Sequence, residues 1–213
     1  VHSIIYDEKK KKATGVRVID AHTKVTTEYF AKVIFLNASA LNSNLILLNS
    51  TSNRFPNGLG NDNGLLGKYI AFHNYRGRIT ATHEGHQNSR VDGRKPTSAY
   101  VPRFRNVFKQ ETNFLRGYAA GFGARKNMIY DTSGLGDDLF NNLKNTKQSD
   151  VWSVNSHMMG ETIPKKSNQV TLDQSLVDPW GIPQLKVDVD YDDNDEKMLK
   201  DFFDEFSEMY TKA

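Results

Sequence analysis

The chain has 213 residues, a formal net charge of +3 and no cysteine. That length holds one large domain or one and a half with a proper core, and the absence of cysteine excludes disulfides, thiol catalysis and cysteine-type zinc sites while leaving the compartment open. The small charge excludes a general nucleic-acid binder, no apolar run approaches the roughly 20 residues of a membrane span, and no signal sequence opens the chain. Residues 1–6 read as a strand and 7–12 as a polar turn, whose basic run Lys9 to Lys12 is a solvated loop. Residues 13–21 form a second strand, with Val16 and Val18 on one face and Arg17 and Ile19 on the other. Because the chain begins at Val1 inside strand-like sequence, it is expected to have been cut from something longer.

The next stretch, EYFAKVIFLNASALNSNLILLNSTS at 28–52, organises the first part of the chain. Residues 30–36 are an apolar run rich in β-branched and aromatic side chains, broken only by Lys32, and are expected to be a buried strand completing a meander with the first two. Ala38, Ser39 and Ala40 then give a tight turn, and Leu41, Leu45 and Leu48 share the spacing of one buried helix face. A strand entering a helix through a small-residue turn is half of a nucleotide-binding unit, because backbone N–H groups there can come close to phosphate or ribose. In the continuation FPNGLGNDNGLLGKYIAFHNYRG, Gly58-x-Gly60 followed by Gly64 imitates a dinucleotide fingerprint. No strand precedes it, so residues 55–67 read as a lid-like loop whose glycines and asparagines supply turns.

Ala38-Ser39-Ala40, Asn42-Ser43, Leu47-Leu48, Ser50 and the segment from Gly67 to His73 occur in an order that resembles the glucose-methanol-choline (GMC) flavoprotein oxidoreductases, especially their bacterial sugar and alcohol dehydrogenase-like members. Ser39 stands where many members of that family carry glycine. The resemblance implies that residues 1–73 are the C-terminal part of an FAD-binding domain, with the loop beside the flavin. It offers Ala38, Ser39, Ala40, Asn63 and His73 as cofactor-side candidates.

From Asn74 the pattern changes. Residues 75–83 alternate as a half-solvated antiparallel strand. His83 and His86 lack a third ligand and a helix to align them, so an exposed hairpin is expected rather than a zinc site. Pro96 and Pro102 bracket an extended Tyr100-Val101 and put Arg103 and Arg105 on one side; the PRFRN run at 102–106 also resembles the bacterial GMC members. Residues 114–122 read as a glycine-punctuated strand, and Leu135, Leu139, Phe140 and Leu143 as a helix face. His157 and Glu161 are the titratable pair of the next apolar strand, with structural pairing as the alternative to a direct part in chemistry. NQVTLD at 168–173, the turn DPWGIP and LKVDVDY make a strand, loop and strand, again as in the family. Asp193 and Asn194 then cap a helix with Met198, Leu199, Phe202, Phe203, Phe206 and Met209 on its core face.

The expected fold is α+β and α/β-derived: a meander and strand-turn-helix remnant of an FAD domain (1–73), then an antiparallel sheet backed by helices at 135–143 and 195–210 as a substrate domain (74–213). The resemblance implies oxidation of an alcohol or sugar hydroxyl with FAD as cofactor, and the sheet as roof of the substrate cavity. Arg103, Arg105, His157 and Glu161 are its substrate-side candidates. No catalytic residue and no metal ligand is assigned. The family's pyrophosphate fingerprint and catalytic histidine match nothing within 1–213, so this chain alone is expected to be inactive and to bind flavin weakly. Its expected partners are a small alcohol or sugar and the remainder of the same polypeptide. The alternative is a non-catalytic sugar-binding module with Tyr100, Phe104, Trp152 and Trp180 as stacking aromatics.

Overall fold

Alternating apolar residues and short polar turns fold the start of the chain into an antiparallel meander of β1 (Ser3–Asp7), β2 (Lys12–Ile19) and β3 (Thr26–Phe30), with Ile4 opposite Val16 and Val16 opposite Tyr29. The turn between β2 and β3 is closed by Asp20, whose Oδ1 accepts from the backbone N–H groups of His22 and Thr23; those bonds hold its carboxyl below the usual carboxylate range. These and the elements below come from a computed structural model that describes residues 1–86, 98–145 and 147–213. The chain divides into two compact units, the first from Val1–Ala71 with Ile163–Asp190, the second from Phe72–Thr162 with Tyr191–Ala213. The division expected from the sequence kept 163–190 with the second part. Instead that segment returns to the first unit, where Lys68 bridges Gln169 and the Val170 N–H donates to the Gly67 carbonyl at 2.7 Å.

In the first unit, α1 (Ala40–Asn49) lies against β1 and against the hairpin of β9 (Gln169–Val177) and β10 (Pro183–Asp188). Ser50 ties it to the meander, accepting from the Ile4 N–H at 2.7 Å and donating to the Ile46 carbonyl at 2.6 Å. Ile46 is the buried residue of α1, and Leu41 is exposed, so the helix turns a different face inward from the Leu41, Leu45 and Leu48 stripe. The expected buried strand is also corrected. Every residue of β3 is exposed, and residues 31–36 carry no strand pairing, with Phe35 83% exposed. An apolar run is buried only where layers cover it, and the described residues of this unit supply no such cover. Residues 55–67 form turns, as expected, yet they are bound to the end of α1: the Leu59 N–H donates to the Leu47 carbonyl at 2.9 Å, and a Cβ on Gly58 would lie 3.0 Å from the Leu48 Cα.

The second unit is an antiparallel sheet covered on one face by a single long helix. Its strands are β4 (His73–Asn74), β5 (Arg78–Glu84), β6 (Ala99–Val101), β7 (Tyr118–Ile129) and β8 (Lys147–Glu161). The order is β4-β8-β7-β6, with β5 continuing beside β8 where β4 stops. The covering helix, α3 (Asp193–Lys212), starts one residue before the expected cap: Asp192 accepts from Asn194 and Asp195, and Asp195 answers by accepting from the Asp192 N–H. Met198, Phe202 and Phe206 of α3 pack on Tyr118, Ala120 and Met158 as the core. Gly77 is required there, since a Cβ would lie 2.6 Å from Phe202. Phe203 and Met209, expected on the same face, are more than a third exposed. The second expected backing helix, α2 (Asp137–Lys144), has no buried residue and leaves Leu135 and Phe140 exposed, so it does not cover the sheet.

Candidate functional site

Because side chains alternate along a strand, the register of the second unit sorts its residues onto two faces. On β8, Ser156, Met158 and Gly160 are buried under α3, while Asn155, His157, Met159 and Glu161 point to the opposite face. Directly opposed residues share a face. His73 therefore joins Glu161, Arg78 and Gly121 join His157, Thr80 and Gly123 join Asn155, and Tyr100 joins Gly121 on the side away from α3, which no helix among the described residues of this unit covers and which is called the uncovered side. Pairing shifts by one residue between Asn74↔Gly160 and Arg78↔His157, an extra residue on the edge strand. Arg76 is thereby directed to the α3 side, where its guanidinium lies 3.7 Å from the Tyr191 ring centroid and pairs with Glu196 at 2.7 Å. Tyr75 is left on the uncovered side, 5.2 Å between centroids from His157, with the Arg78 guanidinium 4.9 Å from its ring.

Glycine makes the floor of this face. A Cβ on Gly121 would stand 2.6 Å from His157 Cε1 and Nε2, so the imidazole lies over a position where only hydrogen fits. Beside it, Glu161 is gripped by two guanidinia, Arg116 Nη1 donating to Oε1 at 3.3 Å and Arg103 Nη1 lying 3.7 Å from Oε2. The loop that delivers both arginines is organised by the buried Asn106, which accepts from the Glu111 and Thr112 N–H groups and donates to the Phe114 and Arg116 carbonyls. Arg103 donates in turn to the Arg105 and Asn106 carbonyls, at 3.1 and 2.6 Å.

Of the candidates read from the sequence, His73, His157, Glu161 and Arg103 thus meet on or beside one sheet face. Arg105 does not. Its guanidinium donates to Asp201 at 3.0 Å and pairs with Glu205, both on α3, and the Asp201 bond raises its pKa. Tyr118 donates to the same Asp201 oxygen at 2.7 Å, and burial, followed by that bond, pushes its pKa well up. Arg105 is a clamp between the loop and α3. Tyr75, Gly121 and Arg116 went unnamed as site residues; the alternation of β8 could have found Gly121 opposite His157, whereas the extra residue that places Tyr75 leaves no sequence mark.

In the first unit, Ala38–Ala40 stand at the start of α1. Ser39 is its N-cap at φ 68° and ψ 162°, makes no side-chain cap bond, and is followed by a first turn without an acidic residue. Asn63 lies in the loop bound to α1 at Leu47, about 12 Å along the axis from Ser39, and its carboxamide accepts from the Leu65 N–H. That loop, α1 and β9 enclose a cavity of about 450 Å³ that includes Asn57, Asn61, Lys68 and Gln174. The structure therefore does not gather Asn63 with the Ala38–Ala40 turn.

Of the four aromatics of a sugar-binding module, the three in the second unit do not gather on one surface. Tyr100 is on the uncovered face, Trp152 is on the α3 side of β8 in an apolar cavity of about 530 Å³ with Phe122, Val154 and Met209, and Phe104 packs edge-on to Tyr118. Trp180 belongs to the first unit, donating to the Ala21 carbonyl. His83 and His86 stack at 5.9 Å, and no group of three potential metal ligands occurs among the described residues. Pro96 lies outside those residues. No helix among them is long and apolar enough to cross a membrane.

No protein-family model matches the chain. It is 29% identical over 203 residues to a 2-methyl-1,2-propanediol dehydrogenase of Mycolicibacterium austroafricanum, a match covering 88% of this chain and 34% of that protein. The chain spans about a third of the length of the relative it matches.

Proposed function

We propose that this chain is part of an FAD-dependent oxidoreductase of the GMC type that oxidises an alcohol or sugar hydroxyl, and that the uncovered sheet face of its second unit is the substrate-facing wall. The observation that carries the reading is the similarity to a diol dehydrogenase over most of the chain, which supports an alcohol-oxidising oxidoreductase. The FAD assignment adds the fit of the α1 start: an extended, left-handed Ser39 with no side-chain cap and no acid nearby is compatible with close approach of an oxygen-rich anionic group. Ala38, Ser39 and Ala40 would hold it.

A flavin supplies the two-electron acceptor for such an oxidation. This chain's share is alignment. Gly121 lets the His157 imidazole lie flat against the sheet, His157 and Asn155 offer hydrogen-bonding atoms on that face, and Tyr75 walls one side. The Phe202 core behind the sheet fixes these groups, because strands packed against a dense core do not shift easily. No residue of the chain is assigned as the base that takes the hydroxyl proton.

The test is a chimera in which the matched third of the diol dehydrogenase is replaced by this chain. Sustained dye reduction with an alcohol and a bound flavin spectrum are expected. A folded chimera that binds flavin yet oxidises none of a panel of diols and sugars would refute the substrate-wall reading.

A further inference from the structure

The Arg103–Glu161–Arg116 cluster is built at more cost than its stability explains. Arg116 is held at φ 69°, a left-handed conformation unfavourable for a bulky side chain, and Gly117 is required beside it, since a Cβ there would lie 2.7 Å from Arg103 Nε. The Arg116 backbone is held by the bond from Asn106 to its carbonyl, while what the side chains obtain is two ion pairs among groups that are each 41–52% exposed. Exposed pairs of this kind return less stability than a strained left-handed residue removes.

The arrangement makes better sense as a binding device. Glu161 Oε1 faces one guanidinium and Oε2 the other, so the carboxylate sets the two arginines side by side without neutralising both; the trio keeps one net positive charge. Arg116 uses one of a guanidinium's five N–H donors on Glu161, and Arg103 is locked from behind by its bonds to the Arg105 and Asn106 carbonyls. The backbone bond from the Glu161 N–H to the Gly117 carbonyl, at 3.1 Å, fixes strand to loop at the same place. Two preset guanidinia favour planar or tetrahedral oxyanions, which they meet with paired hydrogen bonds.

We propose that Arg103 and Arg116, held apart by Glu161, form an oxyanion site for a carboxylate or phosphoryl group. The site stands on this geometry alone and needs no flavin. The test is calorimetric titration of the 213-residue chain at low ionic strength with inorganic phosphate and, separately, with acetate. Binding with Kd on the order of millimolar, weakening as salt rises, is expected for at least one anion. The preferred anion names the source, phosphoryl group or carboxylate.

Arg116→Gly separates the two roles. It should lower affinity at least about tenfold while leaving the melting temperature equal or higher, because glycine relieves the left-handed strain. Arg103→Lys, which keeps charge but loses the planar fork, should also weaken binding. The proposal is overturned if neither anion binds up to about 50 mM, if Arg116→Gly binds like the parent, or if Arg116→Gly melts several degrees lower, which would make the cluster structural.

Discussion

Replacing Ser39 by glycine is expected to stabilise this protein, opposite to the usual effect of placing glycine at a helix start. Ser39 sits at φ 68° and ψ 162°. That region is essentially reserved for glycine and costs an L-residue about 1–3 kcal/mol. The substitution removes no cap, because the Ser39 side chain makes none, and the bond from the Ser43 N–H to the Ser39 carbonyl, at 2.9 Å, is backbone and survives. Against the relief stands the extra freedom glycine gives the unfolded chain, about 0.5–1 kcal/mol. The balance is a gain of about 1 kcal/mol, or a Tm rise of about 2–4 °C for a chain of this size. Urea and thermal melts measure it, with Ser39→Ala as the control, since alanine keeps the Cβ and should stay within about 0.5 kcal/mol of the parent. If glycine destabilises, or matches alanine, the strained turn is not a feature of the folded protein, and the argument that it is shaped for close approach of a ligand falls with it.

Phe206, buried and stacked on Phe202 at 4.6 Å, should cost about 3–5 kcal/mol when replaced by alanine, whereas Phe203→Ala, on the half-exposed side of α3, should cost about 1 kcal/mol or less in the same denaturant melts. Equal losses would mean that α3 buries a different face. Tyr118 gives a pH dependence. Burial, then its bond to Asp201, raises its folded pKa above the ordinary 10.0, so its contribution is intact below about pH 10 and is lost as pH climbs from there towards the folded value. Measured against Tyr118→Phe, the parent should lose stability between about pH 9.5 and 11.5, and parallel pH curves for the two proteins would contradict this.

The first two strands, the β9–β10 hairpin and α3 were legible because each carries its own period: Val16 against Arg17, Leu185 against Lys186, and Met198, Phe202 and Phe206 at helical steps. Burial was less so. Residues 30–36 and the face of α2 have core-like composition, but composition does not say whether another layer lies over them. The return of 163–190 to the first unit rests on contacts between residues a hundred or more positions apart, the bridge from Lys68 to Gln169 and the packing of α1 on β9 and β10 among them. Within the site, His157 and Glu161 are four apart on a strand and so share a face by period alone, whereas His73 arrives only through its register opposite Glu161. Ser39 was marked by the glycine that the resemblance leads one to expect at that position. Arg116, equally left-handed, carried no such sign, because its backbone is dictated by the Asn106-centred loop rather than by its own residue type.

The central claim is that one face of the β4–β8 sheet meets substrate and the other does not, and steady-state kinetics of the chimera with single substitutions on each face test it. His157→Ala on the uncovered face should raise KM for the alcohol by about tenfold, as loss of one hydrogen bond to a substrate does. Trp152→Ala on the α3 side should leave KM unchanged, whatever its effect on stability. The opposite pattern, with KM moved by Trp152→Ala and untouched by His157→Ala, would put the substrate on the α3 side and contradict the account.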